Sequence, residues 1–370
     1  MDIAAERQHK HYRVMEILDA NNLDGVLLSR RCNFSWYTCG VARNYVGTND
    51  DVGNSTLLVT REGAAVLTTN IEATRLAGED LAGSGIEVLS YFYADGAERA
   101  RVFEKAIAGR RMAADVPVAG VAAAPLPAAF NLLRWTLTAG EVERYRAACN
   151  DTVAAIEAVM HRAEQGQTEN DLAAMAAQEL RRRGLLPWVL LAAGDERLLK
   201  HRHPLPTANK VRHGFMLVTC AERGGLIAAC SRLAHFGKIS PELEAKHRAV
   251  CTVDTALMAA TRPGVKFGAI FAEAQAAYAA VGHPDEWRLH HQGGSIGYLP
   301  REVKAAPGEA TAAMDCQAFA WNPSITGTKS EDTSLCLGAG PQLLASPTAW
   351  PTVKAEWKGL KMDRPAILER

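Results

Sequence analysis

The chain has 370 residues, with 41 basic and 41 acidic side chains, so it carries no net charge; its one basic run is Arg181-Arg182-Arg183. That balance argues against a nucleic-acid footprint or an anionic membrane surface, and the length predicts two domains with ample apolar content for a core. No window reaches the ~18 apolar residues of a membrane span, no basic segment leads into an apolar run at the N-terminus, and the eight cysteines form no Cys-x-x-Cys pair. The expectation is a soluble cytoplasmic protein whose thiols are small buried residues.

Apolar spacing over residues 5–20 predicts a helix stopped by Asn21-Asn22, and Gly25-Val26-Leu27-Leu28-Ser29 reads as a buried strand. The segment from Arg30 to Asp50, with Asn33, Trp36, Tyr37, Arg43, Asn44 and Tyr45, reads as a long polar loop, and long loops in compact domains are often functional. Strands at 55–60 and 64–69 flank Arg61-Glu62-Gly63, a hairpin signal, and a helix at 71–81, a strand at 85–90 and a helix at 96–107 follow. This alternation predicts an α/β domain over residues 1–135.

From 136 to 370 the pattern changes. Thr138-x-x-Glu141 opens a long helix, Gly166 breaks it, Thr168 with Asp171 caps a second, and Gly184 ends that one. Strands follow at 187–192, 215–220 and 225–236. Ser240-Pro241 then starts another long helix, Gly264 breaks it, and Gly282 ends its successor at the spacing that separates Gly166 from Gly184. Strands return around 290–302, at 315–321 and at 332–337, and the tail from Trp350 reads as a hairpin turning at Lys358-Gly359. Two successive helix-helix-strand blocks predict a duplicated α+β domain with a pseudo-twofold, and a site between the two blocks.

Chemistry-bearing residues fall on matching parts of the two blocks. The first supplies His201, His203, Cys230, Ser231, Arg232 and His235; the second supplies His290, His291, Ser295, Arg301, Glu302, Asn322, Lys329, Glu331 and Asp332. Histidine near a carboxylate is the basic unit of general acid-base work. His290 and His291, as neighbours on an extended chain, are expected to face opposite ways, one of them structural. Cys230 and Ser231 are expected to pack rather than to act as a nucleophile with His235.

Taken in order, the N-terminal helix and Leu23-Asp24-Gly25-Val26-Leu27-Leu28, Gly166-Gln167-Thr168-Glu169, His203 ahead of Pro206-Thr207, Ser231-Arg232, Gly293 through Gly297, and Ser330-Glu331-Asp332-Thr333 resemble the pita-bread superfamily of aminopeptidase P, prolidase and creatinase. The resemblance covers nearly the whole chain. It implies a small α/β N-terminal domain, a pita-bread α+β C-terminal domain, and a homodimer in which Arg43 or Tyr45 reaches a neighbour's ligand. Peptidases of this family resemble one another in a two-metal site of two Asp, one His and two Glu. Matched by position, those ligands fall here on Thr219, Ala229, Gly294, Asn322 and Glu331, so one of the five survives.

Loss of metal ligands turns the resemblance towards creatinase and ectoine hydrolase, which implies hydrolysis of a C–N bond in a small polar metabolite without cofactor or metal. His203 matches the catalytic histidine and Glu331 its acidic partner, which orients it or relays the proton. His290 or His291 polarises the scissile carbonyl, Arg301 grips an anionic group, and Ser231, Arg232 and Asn322 complete the substrate contacts. A metal-dependent Xaa-Pro aminopeptidase or dipeptidase, and a pita-bread protein that binds peptides or partners without turnover, stay open as alternatives.

Overall fold

The computed structural model describes residues 2–48 and 50–370, and the chain divides into two compact units: residues 1–134 with 138–141, and residues 135–137 with 142–370. Among the described residues no helix is long and apolar enough to cross a membrane, and all eight cysteines are free thiols.

The first unit is a six-stranded sheet in the order Glu87–Tyr91, Gly63–Thr69, Val52–Thr60, Gly25–Arg30, Met112–Ala114, Ala123–Pro125. Its middle is antiparallel, and parallel pairs stand at both edges. Leu27, Leu58, Leu67, Phe103 and Met112 form its core. The helix Ile3–Ala20 is anchored by Lys10, fully buried and held by Glu6 at 2.9 Å and Glu141 at 2.8 Å, so its charge is matched in a place where an unpaired ammonium would cost several kcal/mol.

The expectation of a polar loop from Arg30 to Asp50 is corrected. Its first part is a helix, Arg31–Tyr37, in which every residue is buried. The aromatic rings Phe34 and Trp36 draw it inward; the Asn33 amide finds a partner there, donating to Asp115 at 2.8 Å, and just past the helix the Thr38 hydroxyl donates to the Phe34 carbonyl at 2.8 Å. Asn49 lies outside the described residues. The expected helix at 71–81 is also modified, running as Asn70–Arg75 and then one wider turn, Leu76–Asp80, closed by Leu81 N–H on the Leu76 carbonyl.

The second unit is built twice. Helices Ala139–Arg162 and Glu169–Arg182 precede strands Leu186–Gly194, Gly214–Arg223 and Leu226–His235. Helices Pro241–Ala260 and Phe267–Ala280 precede Gly293–Ser295, Gln317–Trp321 and Asp332–Cys336. The three strands of each half join at the pairing of Asp332 with Cys230, giving one sheet in the order Val303–Lys304, 293–295, 317–321, 332–336, 226–235, 214–223, 186–194. The local signals hold: Thr168 and Asp171 make a reciprocal cap, and the Ser240 side chain accepts from Leu243 N–H with Pro241 at the first helical position. Each half has its own apolar core, one around Ile156, Met160 and Phe215, the other around Phe267, Phe319 and Trp321; each such fully buried side chain is worth about 1.5–3 kcal/mol. Near the end of the chain a hairpin pairs Thr352–Trp357 with Leu360–Pro365 through Lys358 and Gly359, both at positive φ.

Candidate active site

A cavity of about 710 Å³ opens in the second unit. One wall comes from the edge strand Leu186–Gly194, where Trp188, Val189 and Leu190 are only half buried; a register shift between Pro187 and Val189 bulges the strand there. The polar lining is His203 from the first half and His291, Arg301, Lys304, Asn322, Lys329 and Glu331 from the second.

Glu331 is 1% exposed and fully engaged. Its Oε2 accepts from the Ser231 hydroxyl at 2.6 Å and pairs with Lys329 Nζ at 3.1 Å, and Oε1 pairs with Arg301 Nη2 at 3.1 Å. Burial alone pushes this carboxyl up, but the Lys329 ammonium and the Arg301 guanidinium more than reverse it, so it stays ionised below the usual range. Its neighbours point the other way into a buried ion network. Arg364 holds Asp254 at 2.8 Å and Asp332 at 3.0 Å, Ser330 donates to Asp254 at 2.6 Å, and Arg232 bridges Asp332 and Glu157 at 3.0 Å each.

The histidines arrive on two clamped segments. Arg202, beside His203, donates to Glu286 at 3.1 Å and to the Thr326 hydroxyl at 2.6 Å, and Glu286 opens the short helix Glu286–Leu289 that delivers His290. His203 Nε2 and His290 Nε2 stand 3.0 Å apart, so one ring donates and the other accepts. The expectation that His290 and His291 face opposite ways does not hold: their rings stack at 4.4 Å and both neighbour His203, at 4.7 and 5.4 Å between centroids. They sit in a connection rather than a pleated strand, and Gly293, at φ +92°, turns its N–H onto His291 Nδ1 at 3.2 Å. Accepting there leaves the His291 proton on Nε2. His291 lines the cavity, while His290 is buried behind it with Nδ1 unpartnered.

All three imidazoles are pushed towards the neutral form. Desolvation and then the Lys329 ammonium lower His203 and push His290 far below the histidine range; desolvation and then Arg301 push His291 down to about 3.

Several expected site residues lie elsewhere. Arg232 is corrected: it is 4% exposed, spent on Glu157 and Asp332, and does not line the cavity. Ser231 meets Glu331 rather than the open space. Glu331 shares the cavity with His203, but its hydrogen bonds go to Ser231, Lys329 and Arg301, and the ring bonded to His203 is His290. Asn322 lines the cavity, 2% exposed, with Oδ1 unpartnered. Arg43 and Tyr45 belong to the first unit, Arg43 exposed and Tyr45 under the Arg31 guanidinium at 3.5 Å. Cys230 is buried and its thiol pushed well up by desolvation, which makes it inert as a nucleophile. Trp188, Leu205 and Lys304 line the cavity without having been singled out from sequence, and no local pattern marks them.

A two-metal centre does not fit these residues. The Thr219 hydroxyl donates to the Val189 carbonyl at 2.9 Å, Ala229 has no ligand atom, and a Cβ at Gly294 would lie 2.1 Å from the Val303 carbonyl oxygen, so no imidazole can grow there. Glu331 meets an ammonium and a guanidinium. Among the described residues, His203, His290 and His291 form the one group with ligand atoms near enough, within 4.8 Å of one another, to hold a single cation. Arg301, Lys304 and Lys329 border the same space against one carboxylate, a field that opposes a cation there.

Residues 143–335 match the family model for metallopeptidase family M24. A search of curated protein sequences finds no match. The prolidase from Pyrococcus horikoshii OT3 has the same fold at 17% identity, TM-score 0.76, over 92% of this chain and 99% of that one. The dipeptidase PepE from Mycobacterium ulcerans is similar at 18% identity and TM-score 0.72, over 93% and 97%. The N-terminal domain of the FACT complex subunit SPT16 from chickpea, Cicer arietinum, is similar at 11% identity and TM-score 0.66, over 92% and 96%.

Proposed function

The chain belongs to metallopeptidase family M24, a family of hydrolases, and from that premise we propose that it hydrolyses a C–N bond of a small polar molecule without metal. The observation that carries this reading is the trade at Glu331, where Lys329 and Arg301 supply the positive charge, beside a neutral histidine pair in the same cavity. His203, coupled to His290, takes a proton from the attacking water as the C–O bond forms, and returns it to the leaving nitrogen as the C–N bond breaks. His291 Nε2–H donates to the developing oxyanion, and Arg301 faces an anionic part of the substrate. Glu331 holds Lys329 and Arg301 in position.

The test is turnover of small amides and guanidino compounds by protein of measured metal content, before and after chelation. Turnover that survives chelation and falls at least roughly 100-fold in His203→Gln, with the fold retained, is expected. Two equivalents of bound manganese, cobalt or zinc would overturn the reading in favour of a metal-dependent peptidase. Binding without turnover is the second reading, favoured by the full engagement of Glu331, which leaves no carboxylate on His203.

A further inference from the structure

The cavity is unevenly charged. Arg301, Lys304 and Lys329 face one carboxylate, Glu331, which already takes Lys329 and Arg301. Lys304 is exposed and its ammonium makes no ion pair or hydrogen bond among the described residues, so its charge is left for a ligand. A free ammonium on a ligand would meet three like charges; an anion would be drawn in.

The rest of the lining is apolar and incompletely covered. The bulged edge strand presents Trp188 and Leu190, and Leu205 stays 70% exposed at the cavity. Asn322 lines the same cavity, 2% exposed with its carbonyl oxygen unpartnered, a buried acceptor that calls for an N–H donor. An amide N–H is such a donor, and His203 and His291 border the same space.

Resting on the hydrolase reading, the geometry points to an N-acyl amino acid as the substrate class: carboxylate at Lys304, amide N–H on Asn322, and an apolar acyl chain against Trp188 and Leu205. The blocked nitrogen separates this class from dipeptides, whose terminal ammonium the cavity repels. Water adds to the acyl carbon, the C–N bond breaks, and the proton reaches the amino acid nitrogen through His203, giving a fatty acid and a free amino acid.

Calorimetric titration of the full chain with chelator present tests this. N-Hexanoylglycine is expected to bind, N-hexanoylglycinamide and N-acetylglycine to bind at least about tenfold more weakly, and glycylleucine more weakly still. Lys304→Met weakens N-hexanoylglycine about tenfold and leaves the amide unchanged; Leu205→Asn, at an exposed position, weakens the hexanoyl but not the acetyl compound. Equal affinity for acid and amide, indifference to Lys304→Met, tighter binding of glycylleucine, inorganic phosphate competing at equal affinity, or no binding at 10 mM (about 2.7 kcal/mol of affinity) each overturns the inference. Binding with this Lys304 dependence but no hydrolysis supports the ligand class and sinks the hydrolase reading; hydrolysis of the amide as fast as the acid does the reverse.

Discussion

Lys329→Met removes the ammonium 3.1 Å from Glu331 Oε2 and leaves a side chain long enough to fill the space. Breaking a buried pair from one side costs about 3–5 kcal/mol, since the remaining charge stays desolvated. Arg301 and Ser231 still hold this carboxylate, at 3.1 and 2.6 Å, which puts the expected loss at or below the lower limit of that range, about 2–3 kcal/mol at neutral pH. The pH dependence is more diagnostic. In the wild type the folded Glu331 carboxyl lies below its unfolded value, so its contribution is present above the unfolded pKa and is lost as pH falls through the folded one. Without Lys329 the opposing effect of burial gains, the carboxyl moves up, and protonation relieves the variant at mildly acidic pH. Thermal melts at pH 7.5 and 4.5 (about three units apart, the lower one near the ordinary carboxylate value) read this directly. At ~2–4 °C per kcal/mol for a unit of this size, the variant should melt roughly 5–10 °C below wild type at the higher pH, with a smaller gap at the lower. Adding Glu331→Gln should recover much of the loss, because the stranded charge is gone. An equal gap at both pH values, or a double variant as unstable as the sum of the singles, would refute the reasoning.

Two further outcomes follow from single contacts. Gly294→Ala forces a Cβ to within 2.1 Å of the Val303 carbonyl, so the strand Val303–Lys304 must shift; a loss of at least ~2 kcal/mol is expected, seen as a melting temperature several degrees lower, and an unchanged melt would contradict the close approach. Because desolvation and Lys329 lower His203, the acid limb of the kcat/KM profile should fall below the ordinary histidine value of about 6.5, and Lys329→Met should move it up. A limb at or above that value in wild type would remove His203 as the base.

How much of this was legible depends on how local the cause is. The helices of the second unit announce themselves because Thr168 with Asp171 and Ser240 with Pro241 cap from within three residues, and Gly166, Gly184, Gly264 and Gly282 all take positive φ. The duplicated plan followed from those signals. The helix Arg31–Tyr37 was hidden because the partners that let its polar residues be buried lie far off in sequence, as Asp115 does from Asn33. Strands Met112–Ala114 and Ala123–Pro125 are too short to carry a period. At the site, the lost metal ligands could be counted by position, but not the direction of His290 and His291, which is set by Gly293 and by the Arg202–Glu286 clamp.

The stretch from Lys329 to Asp332 ties fold and chemistry together. Period-two alternation sends Lys329 and Glu331 to one side and Ser330 and Asp332 to the other. The second pair is locked by Arg364 and Arg232, so the backbone that carries Glu331 has little freedom to move. A carboxylate fixed there must have positive charge beside it, because at 1% exposure it cannot borrow water. Lys329 meets that need from two residues away, in the same extended segment, and so the ion requirement of the position is met by the chain itself.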